Sequence, residues 1–130
     1  MIQLCYISTA RPGHGWEAVD AILASSRRNN RRRTVTGLLL FNGKRFLQLL
    51  EGPEAQVRET FARIQHDPRH FAIVKLSERR IDEREFGAWD MSFERFEGDE
   101  NKLRMIEQVK GLTARSSPSV RALFTSYAAI

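Results

Sequence analysis

TVTGLLLFNGKRFLQLLEG, residues 34–52, decides the fold. Two apolar, strand-like runs flank Asn42-Gly43, the dipeptide that most readily takes up the positive φ angles of a type I′ hairpin turn. In the second run, alternation places Phe46, Gln48 and Leu50 on one face and Leu47 and Leu49 on the other. Both faces are therefore expected to be buried, with a primary amide inside one of them.

An unpaired buried polar group costs on the order of 1–3 kcal/mol, so Gln48 must have partners. One reading is a core glutamine satisfied by backbone carbonyls. The other is a ligand-facing amide, suited to a hydrogen-bonding edge whose demand changes because an amide both donates and accepts and can flip.

With 130 residues the chain is expected to form one ordinary domain with a real core. A formal charge of +5 accompanies 28% charged and 42% hydrophobic residues, a balance expected of a soluble globular protein. No apolar run approaches the roughly 20 residues of a membrane helix, and residues 1–13 lack the features of a secretory signal. Cys5 is the one cysteine, which excludes an internal disulfide and fits a cytoplasmic location.

Working outward, residues 2–8 (IQLCYIS) predict a first strand with Leu4, Tyr6 and Ser8 on one face, a face with two hydroxyls. Tyr6 is either a core tyrosine with an anchored hydroxyl or, if it lies across from Gln48, part of a site. A Gly- and Pro-bearing loop at 9–15 leads to a helix over 16–29 with Val19, Ile22, Leu23 and Ser26 at helical spacing. Five arginines follow within 27–33, around Asn29 and Asn30. Such a run either solvates a helix end or contacts phosphate, nucleic acid or an acidic partner.

Gly52-Pro53 starts a second helix whose stripe is Val57, Phe61 and Ile64, and Asp67-Pro68 stops it. A fourth strand is expected over 71–77, a charged connection over 79–85, and a fifth strand over 86–93 with Trp89, Met91 and Phe93 on one face. Two helices close the chain, one over 101–110 and one after Ser117-Pro118.

The order β-α-β-β-α-β-β followed by two helices predicts an α+β, ferredoxin-like sandwich with an added strand. Both crossover helices would cover one sheet face. The C-terminal helices would cover the other or form a homodimer interface. Nucleotide-binding glycine loops, HExxH and GxSxG are absent, and His14, His66 and His70 have no metal-ligand spacing. The hairpin's Phe41 and Phe46 lack the RNP pattern of an RNA-binding sheet. An acylphosphatase-like hydrolase would need an N-terminal phosphate loop that this sequence lacks.

Five motifs together, CYIS at 5–8, SRRNN at 26–30, TGLLLFNGKRFLQLLEGP at 36–53, RIQHDPRH at 63–70 and EREFGAWDMSF at 83–93, resemble the BLUF domain, a bacterial blue-light sensor that uses flavin. The resemblance covers about residues 2–95. It implies a photosensor domain over 1–95 and a helical extension over 96–130, packed on the sheet or mediating oligomerisation.

Residue by residue, the resemblance implies that Tyr6 is the light-active tyrosine and Gln48 the glutamine between it and the flavin. Asn30 would hold the C4 carbonyl and N3 edge, Arg63 and Asp67 the pyrimidine end, and Ile22 an apolar contact, with His70 beside the pocket. Trp89 and Met91 would relay the signal. The flavin is expected to be FAD, with FMN as the alternative. Excited flavin would take an electron and a proton from Tyr6 by way of Gln48, and the persisting change would be a rearranged hydrogen-bond network with a red-shifted spectrum. Without an enzymatic effector, the chain is expected to signal in trans to a separate protein in the cytoplasm, not at a membrane or on nucleic acid. Two departures stand out: Cys5 where an aliphatic residue is expected, and Asn29 where some relatives carry histidine. The alternative function, from the basic run alone, is a ferredoxin-like nucleic-acid-binding module with salt-dependent affinity.

Overall fold

A computed structural model describes residues 1–12, 24, 35–41, 43–85, 92–95, 118 and 121–124, with 92–95 described at the level of the backbone. Five strands, β1 (Ile2–Ala10), β2 (Thr36–Phe41), β3 (Arg45–Gly52), β4 (His70–Arg80) and β5 (Ser92–Arg95), form one sheet in the order β4-β1-β3-β2-β5. β5 runs parallel to β2, and the other neighbours are antiparallel. This is the expected α+β, ferredoxin-like arrangement with a strand added at one edge. Of the helix expected over 16–29 Ala24 alone is described, and it is helical; the strand residues 86–91 and the helix over 101–110 lie outside the described residues. Of the tail, Pro118 and 121–124 are helical and Phe124 is fully buried.

Helix α1 (Glu54–Gln65) begins directly after Pro53, whose carbonyl accepts the Val57 N–H at 3.0 Å. Glu54 in its first turn and Arg63 in its last complement the helix dipole. Val57 is fully buried and Phe61 and Ile64 pack half-buried against the core, so the expected stripe faces the sheet. There it meets Ile2, Leu4, Tyr6, Leu39, Phe41, Phe46 and Leu50. Register puts Cys5, Leu38, Leu40, Leu47 and Leu49 on the opposite face, and each of these is fully buried as well. The two central strands are thus apolar on both sides because both sides are covered.

The hairpin differs from expectation in its loop. Gly43 has the positive φ of 92° that Asn42-Gly43 leads one to expect. The ladder nevertheless closes at Phe41–Phe46, which leaves four residues (42–45) in the connection where a type I′ turn leaves two. Phe41 and Phe46 stack at 4.3 Å between centroids, 19° from parallel, and the Lys44 carbonyl accepts the Ala10 N–H at 2.9 Å. Stacking and a third strand on the loop outweigh the local turn preference.

β4 also exceeds the expected 71–77, taking in residues assigned to the charged connection. Arg79 is held there by its Nε donating to Gln3 Oε1 at 3.0 Å, and beyond the strand Ile81 N–H donates to the Met1 carbonyl at 3.0 Å. Two register shifts interrupt its pairing with β1, one between Cys5 and Tyr6 and one between Ile7 and Thr9. At the second, Ala72 and Ile73 stand opposite Ser8 alone, and Ala72 takes φ 53°, a left-handed conformation costing on the order of 1 kcal/mol for a residue with a Cβ. The shift pairs His70 with Ala10, on the Tyr6 face; without it Phe71 would take that place and His70 would point to the other side.

Past β4 the chain crosses to the far edge. Its contacts follow the strand order: Met1 on the β1 side, then the buried Glu51 of β3, then Thr36 of β2. Glu51 Oε2 accepts both the Gln3 amide and the Glu85 N–H at 3.1 Å, and Arg84 Nη1 donates to Thr36 Oγ1 at 2.9 Å.

Candidate functional site

Tyr6 and Gln48 are direct cross-strand partners on β1 and β3, so their side chains leave the sheet side by side toward α1. The Tyr6 hydroxyl donates to Gln48 Oε1. Both side chains are buried, which disposes of the reading in which backbone carbonyls alone satisfy the glutamine. Because its oxygen accepts from the phenol, the Gln48 amide directs its two N–H donors elsewhere.

Desolvation pushes the ionisation of Tyr6 far above its ordinary range, with smaller contributions from Cys5 and the Asp67 carboxylate. The phenol is therefore held as a neutral donor. Cys5 points to the opposite face, where burial pushes its thiol up to about 12, so it is an inert core residue.

The walls around this pair are aromatic and apolar. Phe61 of α1 lies 5.5 Å from the Tyr6 ring, and His70 meets Tyr6 and Phe46 edge-on at 6.4 and 6.1 Å. His70 Nε2 lies 2.7 Å from the Ile64 carbonyl, which can only accept; Nε2 therefore carries the proton, and Nδ1 accepts from Ser8 Oγ at 2.8 Å. With both nitrogens engaged inside the protein, His70 offers a ligand its C–H edge. Asp67 is half-buried just past α1, where its Oδ1 accepts the Arg69 N–H at 2.9 Å, while Arg63 stands exposed on the last turn.

Tyr6, Gln48, Asp67 and His70 are thus gathered at one end of the α1-covered face, with Arg63 at its outer rim. Ile22, Asn30, Trp89 and Met91 lie outside the described residues. Ser8 was legible only as a second hydroxyl on the Tyr6 face, since its partner reaches it through a bulge. The donor set suits a flavin: amide N–H groups beside an apolar wall match the carbonyl and ring-nitrogen acceptors of an isoalloxazine edge. Among the described residues, no His/Cys/Asp/Glu group could hold a metal, and no helix is long and apolar enough to cross a membrane.

The family model for BLUF, sensors of blue light using FAD, matches residues 1–92. The chain belongs to the BLUF family. As a BLUF domain it is a flavin-using sensor module and not an enzyme in its own right. It is 44% identical over 73 residues to the blue light- and temperature-regulated antirepressor BluF of Escherichia coli (strain K12), covering 56% of this chain and 18% of that protein. It is 33% identical over 90 residues to photoactivated adenylate cyclase subunit beta of Euglena longa, covering 68% of this chain and 10% of that one. The chain thus spans less than a fifth of either relative's length.

Among solved structures, the BLUF protein BlrB in its dark state matches with a TM-score of 0.75 at 32% identity, over 98% of this chain and 95% of that one. BlrP1 of Klebsiella pneumoniae with FMN and cyclic diGMP matches with a TM-score of 0.80 at 29% identity, over 98% of this chain and 34% of that one.

Proposed function

We propose that this BLUF domain stores a blue-light signal as a rearrangement of the hydrogen bond between Tyr6 and Gln48, and passes it to a separate protein. The observation that carries the reading is the buried hydrogen bond from phenol to amide: a donor that stays protonated across the physiological range, held against a side chain that can reverse its hydrogen-bonding sense.

Bound flavin, excited by blue light, supplies a strong oxidant. Tyr6 then gives up an electron, and its acidified hydroxyl passes the proton to Gln48, the group it already contacts. When electron and proton return, no covalent bond has been made, and the Gln48 amide is left rotated or tautomerised with its donors redirected. Asp67 and Arg63, with Ile22 and Asn30, would hold the flavin's far edge, and FAD is favoured over FMN by the family description.

Exchanging one or two buried hydrogen bonds is worth roughly 1–3 kcal/mol, enough to bias a two-state element but not to refold a domain. Trp89, Met91 and the residues after 95 would form that element. The antirepressor and cyclases among the relatives suggest a regulatory protein effector, met in the cytoplasm.

Illumination of the flavin-loaded protein is the test. A flavin band that moves to the red in blue light and returns in the dark is expected; a spectrum unchanged by light overturns the reading.

A further inference from the structure

Ser8 and His70 have no part in the electron and proton transfer above, yet the fold goes to some length to join them. The Ala72 bulge, kept at a left-handed φ of 53°, is what turns His70 toward the Tyr6 face opposite Ser8. Once there, His70 is buried and fully committed: Nδ1 accepts from Ser8 Oγ at 2.8 Å and Nε2 donates to the Ile64 carbonyl at 2.7 Å. The same carbonyl accepts the Asp67 N–H at 3.1 Å. A continuous hydrogen-bonded chain therefore runs from β1, two residues from Tyr6, through β4 to the end of α1 where Asp67 leaves the helix. It fixes the strand bearing the phenol relative to the segment bearing a candidate ring-edge contact, and it presses the imidazole edge on Tyr6 and Phe46.

We infer that Ser8 and His70 are positioning residues whose mutual hydrogen bond sets the lifetime of the lit state. The inference rests on the photoreceptor reading. Reversal of the lit state requires the Tyr6–Gln48 pair to regain its original geometry, and a clasped pocket restricts the motions and the entry of water by which it does so. Without the Ser8 hydroxyl, His70 Nδ1 loses its donor, the imidazole is free to turn, and the wall beside Tyr6 loosens.

The experiment is the rate of dark recovery, followed by absorption in the flavin-loaded full chain. Ser8→Ala is expected to keep the red shift and to recover about three- to tenfold faster, the factor expected for losing one buried hydrogen bond that restrains the barrier. His70→Gln, which keeps a donor for Ile64 and removes the imidazole acceptor from Ser8, should speed recovery by a similar factor. The double variant should recover no faster than the faster single variant, because both substitutions cut the same bond. Ser8→Thr, which retains the hydroxyl, should return the rate to within about twofold of the parent.

A merely structural role would lower the thermal midpoint with recovery unchanged, or give additive rates in the double variant; either result overturns the inference. So does loss of the red shift in Ser8→Ala. If one single variant does not fold, an unchanged rate in the other is sufficient to overturn it. Failure of the photoreceptor reading looks different: the parent protein itself shows no shift, and this inference falls with it.

Discussion

Tyr6→Phe is expected to abolish the light-induced red shift while flavin remains bound. The substitution removes one oxygen from a ring whose other contacts, with Phe61 at 5.5 Å and with His70, persist. What it takes away is the hydroxyl that donates to Gln48 Oε1. Folding stability should fall by about 1–2 kcal/mol, the usual consequence of leaving one buried acceptor unmatched, so the protein stays folded and coloured. The loss of the light response should be complete, because phenylalanine has no proton to give and is a far poorer electron donor. Dark and illuminated spectra of the variant check this directly, and a reversible shift of parental size would remove Tyr6 from the mechanism.

Gly37→Ala should have the largest effect on stability. A Cβ at this position would lie 1.8 Å from the Leu49 carbonyl oxygen and 2.9 Å from its carbon, and both atoms are backbone. The clash falls in the β2–β3 ladder at the centre of the sheet, one pair from the Leu38–Leu49 rung, where neither strand can retreat without disturbing both buried faces. A loss of roughly 3 kcal/mol or more is expected, a large part of the 5–15 kcal/mol that holds a typical domain together. Urea denaturation measures it, and a change below about 1 kcal/mol would show that the strands separate more easily than this packing allows.

The parts of this architecture that follow a regular period were legible in the sequence. Alternation in 45–52 and 2–8 placed Gln48, Tyr6 and Ser8 on inward faces, and the structure pairs Tyr6 with Gln48 across adjacent strands. Helical spacing gave Val57, Phe61 and Ile64 as the buried stripe of α1. What escaped reading are the breaks in period. Nothing in RHFAIVK announces that Ala72 bulges and turns His70 inward, since alanine is an ordinary strand residue and the shift is imposed by pairing with β1 and by the Ser8 and Ile64 partners. Likewise Asn42-Gly43 signals a tight turn, but the Phe41–Phe46 stack, a tertiary preference, selects a longer loop. Glu51, which no periodicity singles out, is a buried carboxylate that secures the crossover toward β5.

That Gln48 needed a polar partner was readable for a different reason. A primary amide in a run apolar on both faces conflicts with burial unless it has a polar partner, and conflicts of that kind concentrate at functional sites. The neighbouring strand supplies the partner, a tyrosine whose neutral state burial enforces.

The most direct test of the account is a light-minus-dark infrared difference spectrum of the flavin-loaded protein, recorded with ordinary and with isotope-labelled glutamine. If the signal is held by Gln48, amide bands that shift with the label will appear on illumination, and they will vanish in Gln48→Ala. A difference spectrum insensitive to glutamine labelling, in a protein whose flavin band still moves to the red, would show that light is stored elsewhere and contradict the account at its centre.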